Sequence, residues 1–222
     1  MNRIALVATF VAAFPLSAHA FPEMVRHHYA NCTTCHVSPS GGGVITQYGR
    51  ELSRELLSAG GTEKESRYFY FVEPPEWLAL GGDFRWVQTF RDTPTVSSGE
   101  LIRMQTDLEG AVRAGPVSFV QTFGFEAERS AVGVQGGGGE FVSRRQYLMY
   151  HLDDQITFRL GKYAFNYGIN VPDHIIATKR SLGWDEGSET LNLEGSYIGE
   201  AWNFYVTGSF GRPDSEFLNR EK

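Results

Sequence analysis

The chain has two cysteines, Cys32 and Cys35, and His36 follows the second directly. Thiols three residues apart can close a disulfide in an oxidising compartment. They can ligate zinc, but a tetrahedral site needs further ligands at set spacing. They can exchange electrons as a dithiol, but that chemistry belongs to a strand–helix–strand setting, which the sequence lacks. A disulfide gives the histidine no task. C-x-x-C-H is the attachment motif of c-type haem. Its thiols reach the two vinyl groups on one porphyrin edge, and the adjacent imidazole lies under the ring to bind iron. Cys32 and Cys35 are therefore read as the covalent attachment points of one haem c. His36 is read as the proximal iron ligand.

The iron's sixth position takes methionine or histidine in a low-spin electron carrier. Between His36 and Thr62 there is no methionine and no further histidine. Met104 falls on the apolar face of a strand pattern and is a poor candidate. His27 is the first choice for the distal ligand, with His28 and His151 as alternatives. His151 ends a strand pattern, on the face opposite Leu148, Tyr150 and Leu152.

The elements that hold this motif begin with a leader. Arg3, an apolar run from Ile4 to Phe14, Pro15 and an Ala18-His19-Ala20 site read as a secretory signal peptide over 1–20. The mature chain then starts at Phe21 outside the cytoplasm. Of the 20 basic residues one is Arg3, which leaves 19 against 26 acidic, a net −7. No basic block suggests nucleic acid. No later segment is long and apolar enough for a transmembrane helix.

Residues 21–62 form a haem head. Val44, Tyr48, Leu52 and Leu56 recur every four residues between charged positions, an amphipathic helix that stops at Gly60-Gly61. Residues 63–76 read as a linker. After Trp77 the period becomes two. Leu78, Leu80, Phe84, Trp86 and Phe90 oppose Asp83, Arg85, Thr89 and Arg91. Ile102, Met104, Leu108 and Val112 oppose Arg103, Gln105, Asp107, Glu109 and Arg113. Similar patterns cover 117–129, 141–152 (less cleanly), 156–163, 190–198 and 202–210, which makes about seven strands.

Three short connections (114–116, 153–154 and 199–200) alternate with three longer ones (92–99, 130–139 and 164–188). Charges of both signs sit in mid-strand opposite the apolar set. Together these features predict an antiparallel outer-membrane β-barrel over 77–222 rather than a soluble sandwich. Short turns are periplasmic in such barrels, which puts the head on the periplasmic side. Seven is an odd count and the last strand does not return, so the barrel is expected to be incomplete in this chain. Asp83, Asp107, Glu109 and Glu126 are read as lumen charges, and Gly136–Gly139 as a flexible outer loop. Asp173 and His174 lie in a polar connection that reads as a loop.

A single C-x-x-C-H head followed by a barrel resembles the cytochrome–porin fusions of bacterial outer membranes. That resemblance rests on Cys32, Cys35 and His36 and on the architecture of the mature chain. It implies haem-based electron transfer between periplasmic carriers and a donor or acceptor outside the cell, a metal being one such partner. No hydrolase or transferase constellation stands out. The enzymatic reading left open is an oxidoreductase acting on an extracellular metal. Two alternatives remain: a porin or transport channel with a tethered haem as sensor or plug, and a soluble periplasmic redox protein on a β-sandwich.

Overall fold

A computed structural model describes Met24, Tyr29 and residues 31–57, 61–129, 135–165, 189–200 and 202–211. The leader, His27, His28, Asp173 and His174 lie outside these residues. The described chain is mainly β, one antiparallel sheet preceded by a small helical head. In the head, a 3-10 turn Cys32–Thr34 leads to helix α1 (Gln47–Leu57), and a second 3-10 turn spans Glu63–Ser66. Seven strands follow: β1 (Leu78–Asp92), β2 (Ser97–Ala114), β3 (Val117–Arg129), β4 (Gln135–His151), β5 (Ile156–Tyr163), β6 (Thr190–Ile198) and β7 (Asn203–Ser209). They pair in sequence order, each antiparallel to the next. Among the described residues β1 and β7 are the edges of the sheet, which does not close into a barrel within them.

The period-two pattern sorts the side chains, but in the reverse of a soluble protein. The charged face is covered: Asp107 is 2% exposed and Glu194 1%. The apolar face is bare. Phe84, Trp86, Leu108, Phe123, Leu148, Tyr150, Phe158, Leu160, Leu193, Phe204 and Val206 are all exposed. At roughly half of about 200 Å² each, they sum to on the order of 1,000 Å². That exceeds the largest apolar patch of an ordinary soluble monomer, about 300–600 Å². No second sheet among the described residues packs on this face.

Three expectations need correction. Gly136–Gly139 is not a loop but part of β4, with Gly139 paired to Ala127. With it, two of the three connections expected to be long shrink to 93–96 and 130–134; the stretch between β5 and β6 remains long. The two ends of the sheet therefore differ less in loop length than the sequence suggested. Arg103 also changes sides. A bulge between Arg85 and Trp86 leaves Arg103 paired with Trp86 on the apolar face, its guanidinium 4.4 Å from the centre of the Phe125 ring. One inserted residue reverses every later side chain on that strand.

A second bulge explains the unclean pattern at 141–152. Thr122 pairs with Arg145 and Phe123 with Ser143, so Arg144 is the extra residue. Both arginines consequently reach the charged face. Arg144 Nε donates to Asp107 Oδ1 at 2.9 Å, and Arg145 Nη2 lies 2.9 Å from Glu109 Oε2. A third pair, Arg159 with Glu194 at 2.7 Å, lies further along the same face. Arg159 is stacked against Tyr163 and Tyr147, at 3.9 and 5.2 Å from the ring centres.

Candidate functional site

Cys32, Cys35 and His36 occupy one helical turn. Cys35 N and His36 N both donate to Cys32 O, at 3.2 and 2.8 Å. Asn31 starts the turn: its Oδ1 accepts from Thr33 N at 2.9 Å and from Thr33 Oγ1 at 2.6 Å. Positions i, i+3 and i+4 of such a turn share a face, so the two thiols and the imidazole are presented together. Both thiols are free. Burial pushes both up from their ordinary 9.0, and for Cys32 the Cys35 charge adds to this against an opposing backbone hydrogen bond. Burial also lowers His36 below its ordinary 6.5, against weaker upward pulls from the Gly42 backbone and the Glu109 carboxylate. His36 Nδ1 is buried, and the Gly42 backbone lies beside the ring.

This turn is wedged between α1 and a glycine loop. Gly49 of α1 packs on the backbone of Cys35, where an added Cβ would meet Cys35 Cα at 2.9 Å. Thr46 N donates to Cys35 O at 2.9 Å and Thr46 Oγ1 to Thr34 O at 2.9 Å. Beyond His36 the chain turns back on itself: Val37 N donates to Val44 O at 3.0 Å, and His36 bridges to Ile45. The turn needs its glycines, because Gly41, Gly42 and Gly43 have φ of 79°, 72° and 66°. Gly41 also lies close enough to the turn that a Cβ there would stand 3.8 Å from Cys32 Sγ and 3.9 Å from His36 Cδ2.

The Val37–Val44 loop is seated on the charged face of the sheet. Val44 N donates to Glu109 Oε1 of β2 at 2.7 Å. Ser38 Oγ accepts from Arg159 Nη1 of β5 at 3.2 Å, and Pro39 O accepts from Tyr205 OH of β7 at 2.9 Å. Val44 also touches the space above Gly81 of β1. One compact loop therefore reaches both edge strands. A flat seven-stranded sheet spans six gaps, about 29 Å at ~4.8 Å each. Pro39 and Val44 are at most about 17 Å apart even if extended, and the turn holds them closer. The sheet must curl around the loop.

The structure thus brings Cys32, Cys35 and His36 together as the motif requires. His151 stands elsewhere, at the end of β4, with Nε2 3.0 Å from Ser118 Oγ and Nδ1 3.5 Å from Thr157 Oγ1. An iron bond there has to displace one of these contacts. His27 and His28 lie outside the described residues. No group of three or more His, Cys, Asp or Glu among the described residues is placed to hold a metal ion by itself. A haem fits the residues present: two free thiols on one turn, an imidazole kept neutral by burial, and glycine beside both.

Sequence reading missed the residues that seat the loop. Glu109 appeared only as a lumen charge, and Ser38, Pro39, Arg159 and Tyr205 not at all. The glycine run was the available signal of close approach, but it does not say what is approached. Comparisons with family models, with curated proteins and with solved structures found no match, so the geometry of this loop and sheet carries the functional reading.

Proposed function

We propose that the chain is an outer-membrane electron-transfer protein that binds one haem c in a head seated in the curve of a lipid-embedded β-sheet. Its apolar face meets lipid and its charged face lines a lumen, as in a porin-like barrel. Electrons pass between periplasmic carriers and a donor or acceptor outside the cell. The observation that carries this reading is the position of the cysteine turn. It is joined to a loop held on the charged side of a sheet whose apolar side is bare. No helix among the described residues is long and apolar enough to cross a membrane, which says nothing of strands.

A haem supplies a one-electron carrier when bound. Cys32 and Cys35 would fix it covalently, and His36 would supply an imidazole to its iron. Gly49 and Thr46 hold the turn, and Glu109, Arg159 and Tyr205 hold the loop behind it. A fixed cofactor needs no reorganisation of the chain for electron transfer, and the loop keeps water from one side of the turn.

The loop also occupies the inner face, which favours a second reading as a channel plugged by its haem head. One experiment separates the two. The membrane fraction is run on denaturing gels with a haem stain, and the purified protein is placed in vesicles with a reductant outside and a ferric acceptor inside. Stain on the parent band, its loss in Cys32→Ala/Cys35→Ala, and reduction of the trapped acceptor support the electron carrier. A stained band that survives the double substitution overturns the haem site. Haem attachment without transfer, but with solute leakage once the loop is loosened, selects the channel.

A further inference from the structure

The segment that joins the head to β1 is more than a linker. Tyr68 N donates to Val72 O at 2.8 Å, and Val72 N to Tyr68 O at 2.9 Å, closing a tight turn. Its two central residues, Phe69 and Tyr70, have φ of 52° and 68°. Left-handed backbone suits glycine or asparagine, and is strained for bulky side chains. The strain is not repaid by burial. Phe69 is 77% exposed, Tyr70 64% and Phe71 74%. Nor is the turn loose. Tyr68 OH accepts from Leu80 N at 2.8 Å and donates to Leu78 O at 3.0 Å, and the Arg50 guanidinium covers its ring at 4.7 Å. Arg67 and Glu73 close the base with an ion pair at 2.6 Å.

Three aromatic rings are thus held outward, at a fixed place, by a backbone that pays for the arrangement. The place is the start of β1, where Trp77 just before the strand is also exposed and Leu80 begins the bare apolar face. From this outlier we infer that the Phe69–Phe71 turn is an interfacial foot that sets its rings in the headgroup layer of the bilayer on the side of the head. Lipid is the occupant because the exposed rings are anchored, through the Tyr68 hydroxyl, at the start of a sheet whose apolar face is bare. Phenyl and phenol side by side suit a layer that is apolar on one side and wet on the other. The foot fixes the height of the head against the membrane. This inference rests on the reading of the apolar face as lipid-facing.

The test uses the full chain in phosphatidylcholine vesicles brominated either high or low on the acyl chains. Trp77, Trp184 and Trp202 are replaced by Phe. One protein keeps Trp86 as a reporter of the sheet. In two others Trp86 is also replaced by Phe, and the reporter is Phe71→Trp or Tyr70→Trp. The foot is supported if Trp86 is quenched and either turn reporter loses more fluorescence to shallow bromines than to deep ones. Quenching of Trp86 with neither turn reporter quenched overturns the foot and leaves the lipid-facing sheet intact. Stronger quenching by deep bromines in the turn also overturns it, because the rings would then lie in the acyl core. If Trp86 itself is not quenched, both readings fail. A turn shielded from acrylamide but untouched by bromine points to a protein partner and overturns the lipid assignment.

Discussion

Removing Glu109 should free the Val37–Val44 loop from the sheet. The Glu109 side chain is 6% exposed and meets three partners: Val44 N, Arg145 Nη2 and Thr122 Oγ1. In Glu109→Ala the buried Val44 N–H loses a charged acceptor, which costs about 1–3 kcal/mol. Arg145 loses its carboxylate but keeps Thr122 Oγ1 at 3.2 Å and a side chain 21% exposed, so its share is well below that of a fully buried ion. Taking about 2 kcal/mol for the Val44 contact, local opening becomes about 30-fold easier. Glu109→Gln keeps an acceptor oxygen but not the charge. Neutral hydrogen bonds are about half as strong, so about 1 kcal/mol is lost and opening rises about fivefold. Hydrogen exchange read on a peptide over 38–46 reports this opening. Asp107→Asn is the control. Asp107 is equally buried on β2 but bonds Arg144 and Gln105, and no bond joins it to the loop. It should leave the 38–46 peptide unchanged. If Glu109→Ala leaves exchange there within about twofold of the parent, or Asp107→Asn speeds it as much, the loop is not keyed to Glu109 and the seating argued above is wrong.

Gly49→Ala should lower thermal stability and the yield of attached haem together. The new Cβ meets the backbone of Cys35, which cannot move aside without displacing the turn. Overpacking of about 1–3 kcal/mol outweighs the gain of about 1 kcal/mol in helix propensity; a more stable variant with full haem content contradicts this. In the haem-free chain the thiols should alkylate only at higher pH than a free cysteine. Burial disfavours the thiolate, so both groups ionise above 9.0 in the folded state. The folded state then holds more protons than the unfolded chain as pH rises through that value, and the contribution of the thiols to stability falls across the same window. A pH–rate profile with iodoacetamide that matches a short unfolded peptide refutes the burial.

The grouping of Cys32, Cys35 and His36 was legible because it is local. Residues at i, i+3 and i+4 need only one helical turn to meet, and Asn31 and Thr33 supply that turn within the same few residues. The amphipathic helix was legible for the same reason. Its described part runs over Gln47–Leu57, within the four-residue period. The strand count was legible because mid-strand charges alternate with large apolar residues, a pattern that survives in each strand even where its phase shifts.

Phase is what the pattern does not carry. A strand read alone keeps its parity from end to end, so Arg103 falls with Gln105 and Asp107. Only the partner strand reveals that Gln105 pairs with Arg85 and Arg103 with Trp86, one residue out of step. The same holds for Arg144 and Arg145, whose joint reach to the charged face depends on where β3 stops matching β4. That second bulge matters for the site. Without it one of the two arginines would point to the apolar side, and either Asp107 or Glu109 would lose its partner on the covered face. Glu109 is also the acceptor for Val44 N. The position of the Val37–Val44 loop therefore depends on a register shift between two strands that lie well over fifty residues further along the chain than the cysteines. No spacing rule applied to residues 27–43 can find it, because the information sits in the pairing of β3 with β4.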